Sequence, residues 1–128
     1  MVLITGGLAS GKTKYAASRF GCTITDGASC NFDEIWDAEC ISHYHQLVER
    51  MLAAALDPLE ITTRLCSQNP DAVILMTEIG CGIVPIEKNE RIRREMCGRC
   101  GCILAEQSDE VIRMICGIPQ LLKGGASR

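Results

Sequence analysis

The chain has 128 residues, of which 47% are apolar, enough to bury the core of one compact domain. Its formal net charge of −3 argues against a general nucleic-acid binder, because such proteins carry a surplus of basic residues. No apolar run is long enough to cross a bilayer, and the start lacks the pattern of a signal peptide. We therefore expect a cytoplasmic protein that binds neither nucleic acid nor membrane, with its nine cysteines kept as thiols.

The first predicted elements surround a glycine-rich turn. Residues 2–5 form a short apolar run that predicts a strand, and residues 12–20 predict a helix that Gly21 ends. A second short strand is predicted over residues 22–25, with a turn at Asp26-Gly27.

The middle of the chain reads as helical. Asn31 and Glu34 have the spacing of a capping box, and apolar residues then recur at three- and four-residue steps as far as Ala55. This pattern predicts one long amphipathic helix. Asp57-Pro58 predicts the start of a further helix, which Asn69-Pro70 ends.

The last third predicts a strand, a helix and a strand. Residues 72–77 are a continuous apolar run, typical of a parallel strand buried on both faces. A helix is predicted over residues 87–107, and a last strand over residues 111–116, closed by Gly117. Because strands alternate with helices, we predict an α/β fold with helices on both faces of a mostly parallel sheet. One domain is expected over residues 1–123, followed by a loose tail at 124–128.

The turn after the first strand matches the phosphate-binding pattern G-x-x-x-x-G-K-[ST]. Its residues are Gly6, Gly7, Leu8, Ala9, Ser10, Gly11, Lys12 and Thr13. In such a loop the backbone N–H groups and the following helix N-terminus bind phosphate oxygens. Lys12 then places a positive charge on the outer phosphates, and the Thr13 hydroxyl coordinates Mg²⁺. The motif predicts a P-loop NTPase that takes ATP or GTP; the alternative is a glycine-rich turn with an incidental lysine.

A P-loop enzyme needs a carboxylate near the magnesium or the attacking group, usually where a parallel strand ends. Glu78 follows the most apolar strand, and Asp26 follows the weaker second strand. We prefer Glu78 as the catalytic and metal-binding carboxylate, because a central strand ends close to the phosphate site. The alternative for Glu78 is a capping or turn carboxylate.

Several segments together resemble one family. Residues 77–85, T-E-I-G-C-G-I-V-P, are similar to the N-E-V-G-x-G-I-V-P segment of the adenosylcobinamide kinase / adenosylcobinamide-phosphate guanylyltransferase family of cobalamin biosynthesis. Further similarities are the T-G-G-x-x-S-G-K-[ST] start at residue 5, the R-x-x-R-[DE]-x-x-G-R run at residues 91–99, and the D-E-V and G-[IL]-P…K segments near the end.

The resemblance implies a RecA-like P-loop sheet and two reactions. The first transfers a phosphoryl group from ATP or GTP to the aminopropanol hydroxyl of adenosylcobinamide, and the second transfers GMP from GTP. It also implies a homo-oligomer, with a trimer favoured, and sites near subunit boundaries. Arg94 and Arg99 match the family pattern, so we predict that they bind nucleotide phosphate; the alternative is a solvated helix face paired with glutamates.

One family feature has no counterpart here. The R-I-x-x-H-x-x-x-R run, whose histidine takes GMP covalently, is missing, and His43 and His45 lack its flanking arginines. We therefore favour a kinase in which Lys12 and Glu78 are catalytic, with Glu78 holding Mg²⁺ through water or accepting the hydroxyl proton, and leave GMP transfer open. The alternatives are a nucleotide-binding regulatory module without catalysis and a small kinase with another alcohol acceptor.

Three further groups each have two interpretations. In one interpretation His43 faces solvent and His45 lies at the edge of the apolar helix face. In the other, one of them lies near the nucleotide. Cys97, Cys100 and Cys102 form a metal motif or, more simply, permit close helix packing. Trp36 anchors a core or an interface, or stacks on a base or corrin.

Overall fold

The computed structural model describes residues 1–78 and 87–124. Within these ranges the elements, in chain order, are β1 (Val2–Gly6), α1 (Lys12–Phe20), β2 (Ile24–Asp26), a 3-10 turn (Phe32–Trp36), β3 (Cys40–Ser42), α2 (Tyr44–Ala53), α3 (Pro58–Gln68), β4 (Val73–Thr77), α4 (Lys88–Gln107), β5 (Glu110–Ile115) and β6 (Ile118–Lys123). Residues 79–85 of the family-like segment lie outside the described residues, as does the predicted tail apart from Gly124.

The strands form one sheet in the order β2-β3-β4-β1-β5-β6. All neighbours are parallel except β5 and β6, which form an antiparallel hairpin. β1 lies between β4 and β5, with Gly6 beside Thr77 on one side and Thr5 beside Arg113 on the other. This register carries the ends of the central strands to the loop that follows β1, and it confirms the predicted mostly parallel α/β sheet.

Helices cover both faces of the sheet, as predicted. Alternate strand residues point to opposite faces, so Ile4 and Leu75 pack toward Ala16 of α1, whereas Leu3 and Ile74 belong to the core under α2, α3 and α4. These side chains are at most 4% exposed, and burying one large aliphatic residue contributes about 2 kcal/mol. No helix within the described ranges combines the length and the apolar character needed to cross a membrane.

The single long helix predicted from Asn31 to Ala55 is wrong. The capping box is present, but it caps the 3-10 turn rather than a long helix. The chain then enters β3, whose residues are all buried and which pairs with both β2 and β4. His43, with φ 51°, separates this strand from α2. A three-residue strand is too short to show alternation, so its apolar residues were indistinguishable from one face of a helix.

Two strand predictions also need correction. The second strand covers Ile24–Asp26, so Asp26 belongs to the strand end rather than to the following turn. The strand at the end of the chain is followed by another: Cys116 and Gly117 form a left-handed turn into β6. Pro119 lowered the strand signal there, because proline cannot donate a ladder hydrogen bond. β6 tolerates it as an edge strand.

The cysteine motif and Trp36 take part in packing. Cys97 and Cys100 are buried, and each thiol donates to a backbone carbonyl oxygen at 3.6 Å, that of His45 and of Pro58 respectively. In the described part of the chain, no group of three or more His, Cys, Asp or Glu residues could hold a metal ion. Trp36 packs against the main core, with the Arg64 guanidinium 4.9 Å from its ring centre.

Candidate active site

The phosphate loop connects β1 to α1. Gly11 precedes the helix with φ 94°, and no side chain caps the first turn. The first backbone N–H groups of a helix lack partners within the helix. These N–H groups and the positive end of the helix dipole are therefore suited to bind an anion at the start of α1.

The loop backbone packs too closely for a side chain at Gly6. A Cβ atom there would lie 2.6 Å from both the Met114 carbonyl oxygen and the Ser10 hydroxyl. The β5–β6 turn supports the other end of the loop, because the Gly117 N–H donates to the Ser10 carbonyl at 3.0 Å. The loop thus has a fixed shape set by the neighbouring strand and its turn.

The Lys12 ammonium lies over the loop. Its Nζ donates to the carbonyl oxygen of Gly7 at 2.7 Å and lies 3.4 Å from both the Gly6 carbonyl oxygen and the Ser10 hydroxyl. Burial lowers the pKa of Lys12, and the nearby Glu78 carboxylate opposes that shift. A partly desolvated cation beside free helix N–H groups is suited to bind phosphate oxygens.

One cavity beside the loop, of about 450 Å³, is bounded by Lys12, Thr13 and the carboxyl ends of β3 and β4. We call it the histidine-side cavity. Its remaining lining residues are Leu8, Ala9, Ser10, Gly11, Lys14, Ser42, His43, Leu75 and Thr77. The Thr13 hydroxyl and the His43 imidazole therefore share one space, although 30 residues separate them in the chain.

His43 is held by a carboxylate from the neighbouring strand. Its Nδ1 lies 2.9 Å from Asp26 Oδ1 and 3.3 Å from the Ser42 hydroxyl. The hydrogen bond from the Ala28 N–H, with a smaller contribution from His43, lowers the pKa of Asp26. Asp26 therefore stays ionised near neutral pH and accepts the Nδ1 proton, which leaves Nε2 as the basic nitrogen.

His45 has a different environment, two residues further along the chain. It is 9% exposed, and its Nδ1 accepts a hydrogen bond from the Thr77 N–H at 3.4 Å. Burial, followed by the nearby His43 and Lys12, lowers the pKa of His45. This histidine is thus neutral and joins α2 to the end of β4.

A second cavity, of about 430 Å³, lies on the other side of the loop. We call it the glutamate-side cavity; it is lined by Gly7, Leu8, Ala9, Ser10, Glu78, Arg113, Met114, Ile115 and Cys116. The Glu78 N–H donates to the Gly6 carbonyl at 2.8 Å, so this residue adjoins the loop. Its carboxylate lies 3.3 Å from Nε of Arg113, whose side chain projects from β5.

The donors at the loop suit magnesium. Mg²⁺ binds oxygen and usually takes one or two protein ligands together with waters and substrate phosphates. Thr13 offers a hydroxyl oxygen, and Glu78 offers a carboxylate close enough to Lys12 to affect its pKa. Thr13 and Glu78 would therefore be the protein residues that hold the ion, together with waters and substrate phosphate oxygens.

Some predicted site residues come together and others do not. The loop residues, Lys12, Thr13 and Glu78 are adjacent. Arg94 is half-buried and Arg99 is exposed on α4, and the described residues that line the two cavities include neither. The sequence analysis did not select Ser42 or Arg113, and it gave His43 two interpretations. Strand pairing, rather than sequence spacing, brings these residues to the loop.

Comparison with known proteins shows the family of this chain. A family model described as cobinamide kinase / cobinamide phosphate guanyltransferase matches residues 34–122, well over half of the chain. The bifunctional adenosylcobalamin biosynthesis protein CobU of Salmonella typhimurium is 37% identical over 68 residues, which cover 52% of this chain and 38% of that protein. The family match begins after the phosphate loop, so the loop is independent evidence. The chain belongs to the cobinamide kinase / cobinamide phosphate guanyltransferase family.

Proposed function

We propose that this chain is a nucleoside-triphosphate-dependent kinase that phosphorylates the aminopropanol hydroxyl of adenosylcobinamide in cobalamin biosynthesis. The observation that carries the proposal is the complete phosphate loop, with Lys12 and the uncapped start of α1, in a chain of this family. Because the chain spans only 38% of the length of the Salmonella relative, the activity is argued from its own residues.

The loop residues supply most of the catalysis. The backbone N–H groups at the start of α1 bind and orient the triphosphate, which brings the γ-phosphorus next to the cavities. Lys12 offsets the negative charge that develops as the bond to the leaving diphosphate breaks. Bound Mg²⁺ would add charge neutralisation at the phosphate oxygens, with Thr13 and Glu78 as its protein partners. Positioning and charge stabilisation account for the rate gain.

The proposal has finer parts that follow from family membership. ATP and GTP are both candidate donors, and the corrinoid is the acceptor. GMP transfer to adenosylcobinamide phosphate is a second candidate reaction. Arg94 and Arg99 of α4 would bind phosphate in a homo-oligomer, for which we favour a trimer. The protein would act in the cytoplasm.

A product assay tests the proposal. The protein is incubated with Mg²⁺, adenosylcobinamide and either ATP or GTP, and the corrinoid is analysed by mass spectrometry. We expect the corrinoid to gain one phosphoryl group, and no change when the triphosphate is left out. Bound nucleotide without phosphorylated corrinoid would instead support a non-catalytic module, and transfer only to other alcohols would support a different kinase.

The same instrument tests GMP transfer. The mass of the intact protein is measured after incubation with GTP alone, and any covalent adduct is located by peptide mapping. A GMP adduct on a side chain of this protein would support the second reaction. An unchanged protein mass, together with a phosphorylated corrinoid, would restrict the chain to the kinase step.

A further inference from the structure

We infer that the Asp26–His43 pair is the general base for the acceptor hydroxyl, with His43 Nε2 taking its proton. The inference rests on the proposed kinase activity and deepens it, because it assigns the proton acceptor that the phosphate loop lacks. Asp26 acts through His43 and is therefore a positioning residue.

The location of His43 is the first argument. It lines the histidine-side cavity together with Lys12 and Thr13, at the carboxyl end of β3. Ligands of open parallel sheets bind outside the carboxyl ends of the strands. A hydroxyl that enters this cavity therefore meets the imidazole and the bound γ-phosphate from the same space.

The orientation of the ring is the second argument. Asp26 Oδ1, at 2.9 Å from Nδ1, fixes the tautomer that leaves Nε2 free to accept a proton. The resulting imidazolium is stabilised by the carboxylate. A base oriented by a third, ionised group is the usual arrangement in enzymes that activate a hydroxyl.

The surrounding backbone holds this pair in place. Gly27 N–H donates to the Ser42 carbonyl at 2.8 Å, and a Cβ on Gly27 would lie 2.5 Å from that oxygen, so only glycine permits the approach. Arg50 of α2 donates to the carbonyl oxygens of Gly27 at 2.8 Å and Cys30 at 2.6 Å. His43 itself has φ 51°, a conformation unfavourable for a non-glycine residue and frequent at functional sites.

Several polar and charged groups face His43 from the elements around it. Asp26 lies on β2, Ser42 on β3 and His45 on α2, with the two imidazole ring centres 6.1 Å apart. Lys12 and Lys14 of α1 line the same cavity. The hydrogen bond to Asp26 places a negative charge directly beside the His43 ring, whereas the two lysines place positive charges in the same cavity.

The reaction balances with the groups named. The acceptor hydroxyl oxygen forms a bond to the γ-phosphorus while the bond from that phosphorus to the bridging oxygen breaks. The hydroxyl proton moves to His43 Nε2, and the nucleoside diphosphate leaves with the electron pair of the broken bond. The imidazolium then gives its proton to solvent, for which the half-exposed side chain has access.

His43→Asn is the main test, because asparagine tolerates the left-handed backbone conformation. Loss of a general base costs about a hundredfold to ten-thousandfold in kcat. We expect such a loss of corrinoid phosphorylation, with Mg²⁺–nucleotide affinity within about threefold of wild type. The pH profile of kcat should differ between wild type and this variant, because the variant lacks the group that takes the proton.

Asp26→Asn tests the positioning role. The amide oxygen can still accept from Ala28, but the negative charge beside the His43 ring is gone. We expect a smaller loss in kcat than in His43→Asn, with the KM for the corrinoid and the Mg²⁺–nucleotide affinity unchanged. Asp33→Asn makes the same change in charge at an exposed position near the start of the 3-10 turn. Its kcat should match that of the wild type.

The outcomes are separable. An active wild type whose kcat and pH profile are unchanged by His43→Asn would overturn the assignment of the base and leave the kinase intact. A correctly folded wild type that binds nucleotide but phosphorylates no corrinoid would overturn both. Loss of activity with equal loss of nucleotide binding in His43→Asn would also contradict the inference, because it would indicate a binding or structural role.

Discussion

The two cavities beside the phosphate loop have similar volumes but different chemistry. The histidine-side cavity brings a hydroxyl, an ammonium and an imidazole together, whereas the glutamate-side cavity holds an ion pair against an apolar wall of Leu8, Met114 and Ile115. The Glu78 carboxylate is paired with Arg113, while the Asp26 carboxylate orients a histidine. We therefore expect proton transfer on the histidine side, while Glu78 of the glutamate-side cavity supports a metal ion that Thr13 of the histidine-side cavity would hold.

Among the variants that follow, Lys12→Ala has the largest expected effect, because Lys12 lines the histidine-side cavity and also lies near Glu78. Lys12→Ala removes the cation that offsets charge on the transferred group, so we expect kcat for corrinoid phosphorylation to fall about a hundredfold to a thousandfold. Lys88→Ala, at an exposed position at the start of α4, removes the same charge and should retain the wild-type rate. Equal rates in Lys12→Ala and wild type would remove the loop from the mechanism.

Substitutions at Gly6 and Gly7 test whether the backbone of the phosphate loop is closely packed. A methyl group at Gly6 would meet Met114 and Ser10 at 2.6 Å, whereas one at Gly7 meets nothing within 4 Å. Urea denaturation should show that Gly6→Ala lowers the free energy of unfolding by more than about 2 kcal/mol and Gly7→Ala by less than about 1 kcal/mol. Similar values for the two variants would contradict the packing described.

Glu78 and His43 should differ in their effect on magnesium. Groups that hold a metal ion through water typically change its affinity 10- to 100-fold. We expect Glu78→Gln to raise the Mg²⁺ concentration for half-maximal activity by about tenfold, while Glu60→Gln, an exposed control on α3, does not. A change in this Mg²⁺ concentration in His43→Asn but not in Glu78→Gln would contradict the assignment of Glu78 to the metal ion.

His45 gives the smallest effect, on stability. Its pKa is lowered from the ordinary value of 6.5 by burial, so the unfolded chain binds this proton more readily than the folded one. The stability from neutral His45 is complete above pH 6.5 and is lost as the pH falls from there toward the lower folded-state value. Denaturant midpoints of wild type should therefore fall more between pH 7.5 and 5.5 than those of His45→Gln. Parallel pH dependence would contradict a buried neutral histidine.

Local sequence patterns correctly predicted the elements that border the phosphate loop. The loop, α1 and β4 each depend on residues adjacent in sequence, such as Gly11-Lys12-Thr13 and the apolar run that ends before Glu78. The motif therefore predicted the phosphate site that we propose, and the strand boundary predicted Glu78 at the end of β4, next to the loop.

The histidine side could not be predicted in the same way. Its carboxylate and imidazole come from β2 and the end of β3, strands of three residues whose pairing is set by tertiary contacts. Read alone, Ile41 and Tyr44 have helical spacing, so the sequence placed His43 on the solvent side of a helix. Nothing in the sequence marks the left-handed backbone conformation at His43, which ends this helical pattern.

Calorimetric titration of the wild-type protein with Mg²⁺–ATP and Mg²⁺–GTP tests the central claim most directly. We predict saturable binding of at least one of the two triphosphates, strongly weakened in Lys12→Ala and unchanged in Lys88→Ala. Absence of binding heat with both nucleotides at several temperatures, or equal affinities in wild type and Lys12→Ala, would contradict the claim that this loop holds a nucleoside triphosphate.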